Sequence, residues 1–414
     1  MNETIKHRIE QIKRGEVPNG YKKSKLGVLP GDWTSMTVGE CLEKVEKPVA
    51  VEPDKLYTQI GIRSHGKGLF YKEPVTGESL GNKSVFWVEP DCFVLNIVFA
   101  WEQAIGKTTE NEIGMIGSHR FPMFRPIDNR VDVDYLIAYL LTKRGTDILE
   151  AASPGGAGRN RTLGQDRFMN SKIILPPINE QKKIAEILAT QDKVIALKER
   201  LLEEKKTQKK YLMQQLLTGK KRLAGFNTKW VEERIGKYLA ESAIVTTPNI
   251  NKRITVKLHL GGICHREIKA IEKEDATIQY LRKAGQFIYG KQNFHNGAFG
   301  IIPSELDGFQ SSSDLPSFDI SNQINKTWFF YYCSMSDFYR KLEITSTGTG
   351  SKRTRPDTFL DIKISFPSKE EQESIAELLS NADREILLIQ NSIDEEKQKK
   401  KALMQLLLTG IVRV

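Results

Sequence analysis

The residues in this chain best suited to chemistry are arginines held in glycine-rich turns. Gly156-Ala157-Gly158-Arg159-Asn160-Arg161-Thr162 resembles Gly348-Thr349-Gly350-Ser351-Lys352-Arg353-Thr354, and Arg355 follows the second turn. A guanidinium pairs bidentately with a phosphate or a guanine edge, and glycine lets the backbone come close. A solvated basic turn has the same composition, but its presence in two copies favours contact between Arg159, Arg161, Lys352, Arg353, Arg355 and nucleic acid. A feature shared by both copies suits phosphate positioning, because it cannot tell two sequences apart. Base reading belongs to residues that differ between the copies. The candidates are Trp101, Glu102, Ser118, His119 and Arg120 in the first copy, and Lys291, Asn293, His295 and Ser312 in the second. For any one of them a structural role is equally open. The run Trp328-Phe329-Phe330-Tyr331-Tyr332 could stack on bases, although aromatic side chains on a helix more often fill a core.

Catalytic constellations are missing. There is no Walker A loop, no Asn-Pro-Pro-Tyr-type amino-methyltransferase motif and no glycine fingerprint after a strand, so the chain should bind neither nucleotide nor methyl donor. Glu267-Ile268-Lys269 has the E-x-K form of some nucleases but no suitably placed Asp, and reads as chance. The 6 histidines show no metal spacing, and the 4 cysteines are isolated, which fits a reducing cytoplasm. No apolar run approaches the ~18 residues of a membrane span, and no signal peptide is evident. The net charge of +10 points only weakly to a polyanionic partner.

The elements that must position these residues come from a duplication. Residues 176–219 align without a gap to 367–410, at a constant offset of 191 residues, with roughly half the positions identical. Glu180-Gln181 matches Glu371-Gln372, and Leu216-Leu217-Thr218-Gly219 matches Leu407-Leu408-Thr409-Gly410. Trp33 and Trp230 each precede a glycine, Gly39 and Gly236, by six residues. Each repeat is therefore a variable domain, a Gly/Arg loop, a short strand and a long helix.

The helices have clear stops at Gly219 and Gly410, and Ser368 to Glu371 spells a capping box. About 40 residues make a rod of roughly 60 Å. Ile375, Leu379, Leu403 and Leu407 lie on a heptad seam in the second helix, and Ile184, Leu188, Leu212 and Leu216 on one in the first. Glu396 and Lys400 interrupt the second seam; Gln191, Lys198, Lys205 and Lys209 sit on the first. Two imperfect seams in one chain suggest that the helices pair, antiparallel if a pseudo-twofold axis relates the repeats. The lysine runs along them either follow DNA or form the wet side of the pair. In the variable domains Phe93–Phe99 and Gln286–Tyr289 read as buried strands, and Tyr135–Leu141 and Trp328–Tyr332 as helices. The short N-terminal helix carrying Ile5, Ile9 and Ile12 is expected near the C-terminal end.

The expected fold is mixed α/β: two globular domains, 30–175 and 223–366, alternating with two long helices, 176–222 and 367–414, that pair as an antiparallel coiled coil with pseudo-twofold symmetry. Residues 1–29 form the lead-in.

This pattern resembles the specificity subunit of type I restriction-modification enzymes. The features that carry it are Gly27-Val28-Leu29-Pro30-Gly31-Asp32-Trp33, Leu175-Pro176 and Phe366-Pro367 before the Glu-Gln pairs, and the two Leu-Met-Gln…Leu-Leu-Thr-Gly helix ends. The resemblance spans essentially the whole chain. It implies a non-catalytic subunit whose two domains are target-recognition domains, each reading one half of a bipartite site in double-stranded DNA. It implies helices that set the spacer and dock methyltransferase subunits, two of them by symmetry, with motor-nuclease subunits joining through the methyltransferase core. S-adenosylmethionine, ATP and Mg would then belong to those partners. A coiled-coil scaffold whose variable domains bind proteins is the alternative.

Overall fold

The computed structural model describes residues 3–24, 27–155, 161–267, 277–342 and 353–414. Two compact units emerge: Met1–Lys198 with Ser392–Val414, and Glu199–Asn391. Both unit boundaries cut the long helices, Ile178–Leu216 and Lys369–Leu407, each 39 residues. The sequence reading instead set the helices apart from the domains.

Each unit is built on a four-stranded antiparallel sheet. In the first the order is Ile105–Lys107, Phe93–Leu95, Met123–Pro126, Leu42–Val45. In the second it is Phe299–Ile301, Phe287–Tyr289, Ser317–Ile320, Leu239–Ser242. The central strand is short in both, and the apolar run Phe93–Phe99 leaves the sheet at Asn96. Helices Val133–Leu140 and Lys143–Ala152 accompany the first sheet, and Lys326–Cys333 and Ser336–Tyr339 the second. Tyr135, Leu136, Trp328 and Phe329 are fully buried, so the aromatic helix residues fill cores. Two-stranded ribbons, Thr34–Thr37 with Lys172–Leu175 and Val231–Arg234 with Lys363–Phe366, lead into the long helices.

The seam residues belong to these cores. Ile184 and Leu188 pack with Leu407 and, half-buried, Leu403 in the first unit. Leu216 and half-buried Leu212 pack with Ile375 and Leu379 in the second. These eight side chains therefore offer little surface to an outside partner. The exposed apolar side chains on the same helices are Leu197, Leu201, Tyr211, Leu387 and Leu388.

The polar interruptions of the seam meet polar side chains of the facing helix. In the first unit Gln191 and Lys198 both bond Glu396, and Lys400 bonds Asp192. In the second, Lys205 pairs with Glu385 and Lys209 with Asp383. In the first unit Asp192 meets Lys400 while Lys198 also meets Ser392, and in the second Lys205 meets Glu385 while Lys209 meets Asp383, so within each unit the two segments run in opposite directions. Polar pairs at a seam favour this alignment, because slippage separates part-exposed charges from their partners. Lys205, Lys209 and Lys400 are thus engaged inside the pairing.

The Glu-Gln pair at each helix start has a defined job. Gln181 accepts from Asp132 N and donates to the Arg130 and Pro176 carbonyls; Gln372 accepts from Asn325 N and donates to the Pro367 carbonyl. Each glutamine thereby ties its long helix to the start of the domain's own helix. Glu180 binds Trp33 Nε1 and the Arg413 guanidinium, while Glu371 binds Trp230 Nε1 and Arg222 through both oxygens. This corrects the capping box expected at Ser368. Ser368 Oγ accepts from Glu371 N at 3.4 Å, but the buried Glu371 carboxylate is committed to Arg222 and Trp230. The N-terminal helix Glu3–Lys13 reaches the chain's other end: Arg8 donates to the Ile411 carbonyl and Tyr21 to that of Gly410.

Candidate nucleic-acid interface

In each unit the strand Phe93–Leu95 or Phe287–Tyr289 runs into a short 3₁₀ turn, Ala100–Glu102 or Phe294–Asn296. Backbone bonds hold the two corners alike. His65 N donates to Glu102 O in the first unit, and His259 N to Asn296 O in the second. Ile97 N donates to Arg120 O, and Lys291 N to Asp314 O. Leu163 N donates to Ile97 O, and Thr354 N to Lys291 O. His65 and His259 both sit in the left-handed region, at φ 61° and 57°. A non-glycine residue held there twice marks a backbone shape fixed by its surroundings.

These corners gather most of the candidate residues. In the first unit Arg161 lies over the Trp101 ring at 5.4 Å, and Trp101 Nε1 donates to Val98 O. Ser118 Oγ accepts from Arg120 N, and both His119 and Arg120 are exposed. In the second unit Ser312 Oγ accepts from Asp314 N in the matching turn. Arg353 lies 3.5 Å from Asp314, with Lys291 bonded to the same turn. Asn293 Oδ1 accepts from Asn296 Nδ2, and His295 occupies the position of Trp101. His295 Nδ1 is buried without a hydrogen-bond partner among the described residues. Arg355 is exposed beside Asp357. Arg159 and Lys352 lie outside the described residues.

Sequence reasoning missed Arg282. This 1% exposed arginine donates to Ser311 Oγ, Ser317 Oγ and the Ser242 and Leu315 carbonyls. Burial lowers its pKa to about 10. It holds the turn that carries Ser312 and Asp314 against Lys291 and Arg353. Its partners are hydroxyls and carbonyls scattered over 75 positions of chain, so no local signal marks it.

Beside the long helices each unit has a groove. One, of about 1050 Å³, runs between Lys397, Met404 and Gln405 and the helix at Lys143 and Ile148. The other, of about 910 Å³, runs between Lys206, Met213 and Gln214 and the segment Met335–Phe338. The helix residues of the two grooves are the same positions of the repeat. Among the described residues no group of His, Cys, Asp and Glu could hold a metal ion, and no helix is long and apolar enough to cross a membrane.

The family model for the type I restriction modification DNA specificity domain matches residues 68–206 and 226–397. The chain belongs to this family. Both repeats are matched, and each match runs from a variable domain into its long helix. Among relatives, the type I restriction enzyme MjaVIII specificity subunit of Methanocaldococcus jannaschii is similar, 24% identical over 93% of this chain and 94% of its own length. The fold is similar to that of the HsdS subunit from Thermoanaerobacter tengcongensis, with a TM-score of 0.54, 16% identity, and coverage of 93% of this chain and 98% of that one. It is also similar to the type I restriction-modification S subunit from M. genitalium, with a TM-score of 0.55, 12% identity, and coverage of 95% and 97%. The sequence resemblance to specificity subunits is thus shown.

Proposed function

We propose that this specificity subunit reads a bipartite site in double-stranded DNA, each unit's corner reading one half. The observation that carries this reading is the pair of corners: one backbone scaffold, with different side chains on it. A conserved frame with Trp101, Glu102 and Arg120 in one copy and His295, Asn296 and Asp314 in the other suits two different base sequences. Arg161 and Arg353 serve the phosphates beside them. In this proposal the long helices pair as an antiparallel coiled coil with pseudo-twofold symmetry and set the spacer. Each 39-residue helix is roughly 58 Å long, more than the ~34 Å between successive groove faces. Two methyltransferase subunits dock along the equivalent grooves, and motor-nuclease subunits join through them. The chain itself is non-catalytic; S-adenosylmethionine, ATP and Mg act on the partners.

Methylome sequencing of cells carrying the chain with its methyltransferase partner tests this. A two-part methylated site is expected. Inserting about one helical turn near Thr207 or Gln398 should lengthen the tolerated spacer and leave both half-sites unchanged. Altered half-sites with an unaltered spacer would overturn the ruler.

A further inference from the structure

A cavity of about 450 Å³ opens at the first unit's corner, lined by Phe70, Phe99, Phe121, Asn96, Glu102 and Ser64. Its floor is built deliberately. Strand residue Gly61 faces Phe70 across the hairpin, and a Cβ at Gly61 would lie 2.3 Å from the Phe70 ring. Only glycine lets the ring settle there, and Arg63 covers it at 5.1 Å. Its polar side is equally defined. Asn96, buried, accepts from Val98 N through Oδ1, which fixes the amide and leaves Nδ2 without a partner among the described residues. Glu102 accepts from Ser64 Oγ through Oε2, and Oε1 is likewise unpartnered among the described residues. The cavity therefore presents one amide donor and one carboxylate acceptor between aromatic walls, and the exposed Lys72 also lines it.

The geometry points to a base-reading pocket that takes the adenine edge of one position in the first half-site, an assignment that rests on the function proposed above. Adenine displays an amino donor beside a ring-nitrogen acceptor in the major groove, the complement of Glu102 Oε1 and Asn96 Nδ2. Guanine and thymine present an acceptor where the carboxylate needs a donor, and cytosine offers the donor without the neighbouring acceptor. The second unit lacks these groups on the same frame. Gly290 stands in place of Asn96, Asn296 in place of Glu102, Leu315 in place of Phe121, and Cys264 faces Thr255 where Phe70 faces Gly61. The pocket thus belongs to one half-site.

The test uses the full chain purified with its methyltransferase partner and duplexes of the two-part site mapped from the methylome. Each adenine of the half-sites is replaced in turn by 7-deazaadenine, which lacks the ring-nitrogen acceptor. One replacement in one half-site should weaken wild-type binding by roughly 5- to 150-fold. Asn96→Ala should bind the native and deaza duplexes equally, and the near-isosteric Glu102→Gln should relax the same position while the other half-site stays strict. Retained adenine preference in both variants, or a loss spread over every sequence and non-specific duplex alike, would overturn the assignment. If wild type itself shows no two-part preference, the broader function fails instead.

Discussion

Lys198 Nζ lies 2.9 Å from the Glu396 carboxylate, and Gln191 Nε2 donates to the other oxygen of that carboxylate at 2.6 Å. The bond from Lys198 and then that from Gln191 bring the Glu396 pKa down to about 2. An unfolded Glu titrates near ~4.3. The folded value is the lower one, so the stabilisation is fully present above the unfolded pKa and is lost as pH falls towards about 2. Amide protection factors, taken relative to the intrinsic exchange rate at each pH, should therefore fall in the segments around Gln191–Lys198 and Ser392–Glu396 between pH ~4.5 and ~2. Glu396→Gln should flatten that dependence; an unchanged profile would show that the pair does not titrate as described.

Glu371 is fully buried and holds Arg222 and Trp230 together. Glu371→Ala strands a half-buried guanidinium, a loss of about 3 kcal/mol or more by analogy with broken buried pairs. Glu180→Ala should act in the same direction in the first unit, through Arg413 and Trp33. Urea unfolding checks both, and a loss under about 1 kcal/mol for Glu371→Ala would contradict a buried ion pair.

Gly219 and Gly410 end the two long helices at φ +69° and +70°. Alanine at either costs about 1–2 kcal/mol from the left-handed backbone alone. A Cβ at Gly410 would also lie 2.5 Å from Pro30 Cγ, whereas at Gly219 the nearest atom is the Trp230 ring at 3.3 Å. Gly410→Ala should lower the melting temperature more than Gly219→Ala. The reverse order in calorimetry would mean that the Pro30 contact yields easily.

The proposed function puts Arg161 and Arg353 on phosphates. Replacing either by Ala should weaken binding to all duplexes alike and reduce the slope of log K against log salt by about 1. A change confined to one base position would make that arginine a base reader.

The duplication, the long helices and their glycine stops were legible because they are local and repeated. The meaning of the Glu-Gln pair was not: Arg222 and Arg413 lie 149 and 233 residues from the glutamates they hold. A capping box at Ser368 was a fair reading of four adjacent residues, and a distant arginine overrode it. Polar residues on the heptad seam read as defects singly, and become matched pairs only when both helices are placed. Asn96 was hidden inside an apolar run that reads as strand throughout. The corner residues were legible as differences between copies, but the aromatic walls around them come from segments as far apart as Phe70 and Phe121.

The division of the long helices between the units has a genetic consequence. Duplication counts residues 176–219 and 367–410 as whole, equal copies, while folding gives each unit the beginning of one helix and the end of the other. Inheritance and folding are out of phase by half a helix. A recombination event that replaces residues 223–366 alone therefore hands the new domain a seat already furnished by its neighbours, Leu212–Leu217 on one side and Ile375–Leu379 on the other. New variable domains can enter by exchange, provided they bring the few core contacts that seat requires.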